Sequence, residues 1–127
     1  MIDRINQALL RWIRRRGGVR IDSVLVSRDS LKGCAGSGTV WEMTWKQMLR
    51  VTAYMNEEFV GDTMVLVFES AADQRVVTED LAGWSELTRV LPEHLPGAAA
   101  FASWAPAVTA HHAQEAIIVF QRGREHV

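Results

Sequence analysis

Residues 78–97, TEDLAGWSELTRVLPEHLPG, constrain the fold of this chain more than any other stretch. Leu81, Trp84, Leu87, Leu91 and Leu95 recur at the spacing of one helical face. Asp80 or Gly83 can cap the start, and Glu79, Asp80 and Glu86 put negative charge at the positive end of the helix dipole. Pro92 is expected to end the regular helix near Leu91, and Pro96-Gly97 closes the unit. The spacing therefore predicts a short amphipathic helix at about 80–92, which must bury its apolar face on something else.

The residues before it supply that partner. Residues 63–69, TMVLVFE, are nearly all apolar and read as a strand central to a sheet. In residues 39–45, Val40, Glu42 and Thr44 fall on one face and Trp41, Met43 and Trp45 on the other, and the second face is expected to point inward. Residues 19–27, 50–54, 75–78 and 116–122 are further strand-sized runs; the first alternates Val19, Ile21, Ser23 and Leu25 on one side, and the second puts Val51, Ala53 and Met55 on one side. Residues 45–49 read as one helical turn, residues 30–38 as a glycine-rich loop, and residues 98–110 as an alanine-rich loop or irregular turn. Short connections favour an antiparallel meander. The expected fold is α+β: a single-domain antiparallel meander of about five to six strands, with an N-terminal amphipathic helix and the 80–92 helix packed on the sheet.

In residues 2–16, Ile2, Ile5, Leu9, Trp12 and Ile13 share a helical face, Arg11, Arg14 and Arg15 lie mostly off it, and Gly17-Gly18 stops the run. The chain thus divides into a basic amphipathic helix (1–18), a sheet-plus-helix body (19–122) and a tail (123–127). Charge divides the same way. Residues 1–20 hold six arginines against Asp3, whereas residues 21–127 hold eight basic and fourteen acidic side chains. The basic cluster Arg14, Arg15 and Arg16 follows the apolar residues instead of preceding them, unlike a secretory leader. No apolar run approaches the ~18 residues of a membrane span. One cysteine, Cys34, allows no internal disulfide, so a cytoplasmic residence is expected.

Reactive constellations are weak. Residues 32–39, KGCAGSGT, have the glycine gap of a phosphate loop but lack its lysine and the following helix. Cys34 needs a base within reach to act as a nucleophile, and no pattern supplies one. His94, His111, His112 and Glu115 have metal-ligand chemistry, yet no second motif completes a site. No metal and no cofactor are expected. The carboxylates at turns and at the helix start are explained by solvation and capping.

The order of residues 45–69 and 78–97 resembles a known group. A strand is followed by Trp-Lys-Gln-Met-Leu-Arg-Val, an acidic turn, Gly61-Asp62 and an apolar strand; then come Thr78-Glu79-Asp80, Gly83-Trp84, Leu91-Pro92 and Leu95-Pro96-Gly97. This resembles small, uncharacterised bacterial proteins with a sheet-plus-helix, pleckstrin-homology-like fold, over roughly residues 20–122. The resemblance implies a fold and carries no functional residues.

The leading functional expectation is a non-enzymatic protein-binding module, in concrete form an immunity-type protein that neutralises a basic toxin. Its acidic contacts would be Glu57, Glu58, Asp62, Asp73 and Glu93. The alternative is a membrane-surface or lipid-binding module using Arg11, Trp12, Arg14, Arg15 and Arg16. A small enzyme using Cys34 or the histidines ranks third. An edge strand or an exposed tryptophan patch would equally serve a homodimer, and nucleic acid is not expected as a partner.

Overall fold

The computed structural model describes residues 20–56, 63–111 and 116–123. The expected N-terminal helix, with Arg11, Trp12, Arg14, Arg15 and Arg16, lies outside them, as does the tail after Gly123. The described residues form an α+β structure of two antiparallel sheets and two helices. The first sheet has the order β1-β2-β3, from β1 (Ser23–Val26), β2 (Ser30–Ala35) and β3 (Gly38–Thr44). The second has the order β6-β5-β4-β7, from β4 (Arg50–Asn56), β5 (Thr63–Glu69), β6 (Gln74–Thr78) and β7 (Ile117–Gln121). Helices α1 (Trp84–His94) and α2 (Phe101–His111) lie between β6 and β7 in the chain.

This corrects the single meander of five to six strands: there are seven strands in two sheets among the described residues. The break falls at the expected helical turn, a 3-10 turn at Trp45–Gln47 that separates β3 from β4. Thr44 caps it, its side chain accepting from the Gln47 backbone N–H while the Gln47 side chain accepts from that of Thr44.

Two expected loops are regular structure. Residues 30–35 form β2, and only Gly36-Ser37 turn. Gly33 in that strand makes room for a tryptophan, since a Cβ there would lie 2.4 Å from the Trp41 ring. Residues 101–111 form α2, where Ala102, Ala105, Ala107 and Ala110, of high helix propensity, accompany Pro106 in mid-helix. Pro92 likewise falls inside α1, which runs on to His94 instead of ending near Leu91. Gly83 is the N-cap of α1, with a left-handed backbone and no side-chain cap.

One hydrophobic core joins both sheets to both helices. Val24, Leu31, Trp41 and Met43 meet Val51, Ala53, Leu66, Phe68 and Val77 of the second sheet, with Leu87, Leu91 and Leu95 of α1 and Trp104 and Val108 of α2. The inward orientation of Trp41, Met43 and Trp45 is as expected. In β1, Val24 turns into the core, opposite Gly33, and Leu25 is exposed.

A second, smaller cluster lies on the opposite face of the four-stranded sheet: Tyr54, Val65, Val67 and Ala116, with Val76 packed against them. The Tyr54 hydroxyl is buried with no hydrogen-bond partner among the described residues, and loss of hydration pushes its pKa up to about 12. A phenol that stays neutral when folded but ionises when unfolded costs stability as pH rises from 10 to 12. The expected loss is up to about 3 kcal/mol. Tyr54→Phe removes both the unmet hydroxyl and this pH dependence. It is expected to stabilise the protein by about 1 kcal/mol at neutral pH, with a larger gain at pH 11, read by urea unfolding at the two pH values.

Candidate partner-binding surface

The strand register sorts the sequence-predicted acids by the ends of the four-stranded sheet. Asn56 pairs with Thr63 where β4 gives way to β5, and β6 finishes at that same end with Thr78 opposite Val65. The Glu79 N–H donates to the Met64 carbonyl (3.0 Å), and the Glu79 carboxylate accepts from the Met64 N–H. Thr78 Oγ1 donates to the Asp80 carboxylate. Glu57, Glu58 and Asp62 lie outside the described residues.

Asp73 belongs to the other end. It closes the β5–β6 turn, where the Ser70 N–H donates to the Asp73 carbonyl (2.8 Å), and its carboxylate lies 3.7 Å from Arg75. That end is rich in arginine. Arg50 grips Glu69 through two hydrogen bonds of 3.0 Å, and this contact raises the Arg50 pKa. Arg122 donates to the Trp45 and Met48 carbonyls, each at 2.9 Å. Glu93 is exposed in the last turn of α1, next to His94, whose ring stacks on Trp45 at 4.6 Å. Asp73 and Glu93 are therefore not part of the acidic border at the Glu79 end.

The acids that do gather there were read in the sequence as capping groups. The Glu79–Glu86 connection carries Glu79, Asp80 and, in the first turn of α1, Glu86, all exposed. Ala82 in its middle pairs with Ser23 of β1; its carbonyl accepts from the Val24 N–H (2.8 Å), and its N–H donates to the Asp22 carbonyl (3.4 Å). Asp22 is exposed as well, and its carboxylate accepts from the Gly36 N–H (3.0 Å), fixing the β2–β3 turn. A carboxylate thus occupies the N–H that a phosphate loop would have to offer. Arg20 and Arg89 are the exposed cations closest in sequence to these four acids.

Beside this acidic border lies the outer face of the three-stranded sheet. The cross-strand row Leu25, Lys32 and Glu42 runs over it, and Leu25 is 53% exposed. Val40 is also exposed, at the irregular step where Gly33 and Cys34 pair with Trp41 and Thr39. Both described helices contribute to the core on the inner side. Apolar side chains edged by charge are the composition of protein contact surfaces. The signal for Leu25 was in the sequence only as strand alternation, which has two possible phases. Gly33 decides between them by admitting Trp41 beneath the sheet.

The other candidates stay dispersed. Cys34 is a half-buried free thiol on β2, paired with Ser23 and Thr39. His94 is taken up by Trp45; the side chain of His111, and all of His112 and Glu115, lie outside the described residues. Among the described residues no three His, Cys, Asp or Glu side chains converge to hold a metal ion, and no helix is long and apolar enough to cross a membrane. The chain matches no family model, and neither the curated proteins nor the solved structures include a match to it.

Proposed function

We propose that this chain is a non-enzymatic, cytoplasmic protein-binding module whose partner presents a basic contact surface, as an immunity-type protein facing a toxin would. The observation that supports it is Leu25, exposed in mid-strand on a sheet face that neither described helix covers, beside the carboxylates Asp22, Glu79, Asp80 and Glu86. Leu25 supplies an apolar anchor, and the acids steer and orient a cationic partner. Glu57, Glu58 and Asp62 add sequence-level acidity to the same reading. The resemblance to the pleckstrin-homology-like group belongs to this proposal, supported by antiparallel sheets with helices on the core side.

The test is capture of partners from the native host by the tagged full chain at low and moderate salt. The expected result is a stoichiometric basic protein that is retained at low salt, released as salt rises, and lost with Leu25→Asp. Retention of the same proteins by Leu25→Asp would overturn the placement. Salt-reversible recovery of the chain with membranes and no protein partner would favour the arginine-rich N-terminal segment instead.

A further inference from the structure

The outer face of the three-stranded sheet carries aliphatic side chains and both signs of charge. Val24, Leu31, Trp41 and Met43 point to the core, so strand alternation turns Leu25, Lys32, Cys34 and Glu42 the other way. Leu25, Lys32 and Glu42 stand in one row across β1, β2 and β3. Val40 lies beside Glu42 on β3 and is 38% exposed, against 53% for Leu25. The Ser30 Oγ donates to the Glu42 carboxylate (2.6 Å) and so orients it on this face. Glu42 itself is exposed, while Lys32 and Cys34 are half-buried.

An occupant of one sign would satisfy only one of the two charges in the row. A second copy of this chain satisfies both. Take ideal spacings of about 4.8 Å between strands and about 6.6 Å between side chains on one face. A two-fold axis lying in the face, midway between Leu25 and Val40, then sets Leu25 of each copy on Val40 of the other. The same rotation brings Lys32 to about 3 Å, in projection, from Glu42 of the second copy. It also brings Cys34 to about 4 Å, in projection, from its own counterpart. One operation therefore pairs the aliphatic side chains and the opposite charges together, as an isologous contact requires. Asp22, Glu79, Asp80 and Glu86 stay at the rim, beside the start of β1.

We propose that this face is the contact of a symmetric homodimer, with Leu25 packed on Val40 and Lys32 paired with Glu42 across the two-fold axis. Three strands of four to seven residues offer a small area, so the dimer forms and dissociates with concentration instead of being obligate. The inference does not rest on the basic partner proposed above. Leu25 serves both contacts, so that partner and the second copy exclude each other.

The experiment is sedimentation velocity of the full chain from about 10 µM to about 1 mM, with circular dichroism confirming the fold of each variant. The wild type is expected to pass from monomer to dimer across this range. Lys32→Glu alone and Glu42→Lys alone are each expected to weaken the dimer at least about tenfold. The double variant Lys32→Glu, Glu42→Lys is expected to restore it to within about threefold of the wild type. A wild type that stays monomeric throughout would overturn the proposal. So would a dimer indifferent to the single reversals, or a double variant no better than either. Should a reversal fail to fold, the wild type decides through Cys34, the only cysteine of the chain. A short bismaleimide is expected to link two copies covalently at dimer-forming concentrations in the wild type and not in Leu25→Asp. No covalent dimer in the wild type, or equal linking in Leu25→Asp, refutes the contact.

Discussion

Trp45→Ala is expected to lower the stability of the protein by about 3–5 kcal/mol, measured by urea unfolding followed by circular dichroism. Trp45 occupies the break between the sheets, and its contacts reach the β1–β2 connection, the end of α1 and the residue after β7. Its backbone N–H donates to the Asp29 carbonyl (3.1 Å) and its indole Nε1 to the Ser27 carbonyl (3.0 Å), both in the β1–β2 connection. Its ring stacks on His94 at the end of α1, with 8° between the planes. Its carbonyl accepts from Arg122 just beyond β7. Removing the side chain leaves a large cavity and strips the Ser27 carbonyl of this donor. Trp45→Phe keeps most of the packing but not the indole donor, so it is expected to cost less, about 1–2 kcal/mol. Equal losses for the two variants would mean that the hydrogen bond, and not the packing, dominates.

Gly83→Val is expected to cost about 3 kcal/mol or more, from a left-handed backbone and a clash that nothing nearby relieves. Gly83 has φ +97, and a Cβ there would lie 2.2 Å from the Val24 carbonyl oxygen and 3.0 Å from Val24 Cγ2. The obstacle is mainly backbone, and that backbone is held by the Val24–Ala82 hydrogen bond, so β1 and the start of α1 would have to separate. Gly97 is a control. Its φ is +96 but a Cβ there meets nothing within 4 Å, so Gly97→Ala is expected to cost only about 1–2 kcal/mol. Thermal unfolding of the two variants side by side distinguishes the clash from the conformational cost.

What was legible in the sequence follows from how local each signal is. The apolar stripe of α1, the all-apolar β5 and the alternation of Trp41, Met43 and Trp45 are short-range patterns, and each appears in the fold as expected. The helical turn at residues 45–49 was legible, but the second sheet was not, because a turn of three residues does not itself say whether the strands on either side share one sheet. Residues 30–35 looked like a loop because of their glycine, but Gly33 is small to admit Trp41 across the strand pair. The α2 helix was hidden by Pro106, whose local penalty is outweighed by burying Trp104 and Val108. At the surface, the sequence supplied the acids but not their grouping. Asp73 and Glu79 lie at opposite ends of β6, a fact of register, and Asp22 joins Glu79, Asp80 and Glu86 only through the pairing of Ser23 with Ala82.

The measurement that tests the functional account most directly is the affinity of the captured basic partner for three proteins at two salt concentrations. These are the wild type, the variant with Asp22→Asn, Glu79→Gln, Asp80→Asn and Glu86→Gln, and the control with Asp73→Asn and Glu93→Gln. The amide replacements keep the acceptor oxygens that bond Gly36, Met64 and Thr78 while removing charge. The account predicts at least tenfold weaker binding for the four-site variant, about 1.4 kcal/mol or more, with a shallower salt dependence and an unchanged control. Equal affinity and equal salt dependence for the wild type and the four-site variant would contradict it.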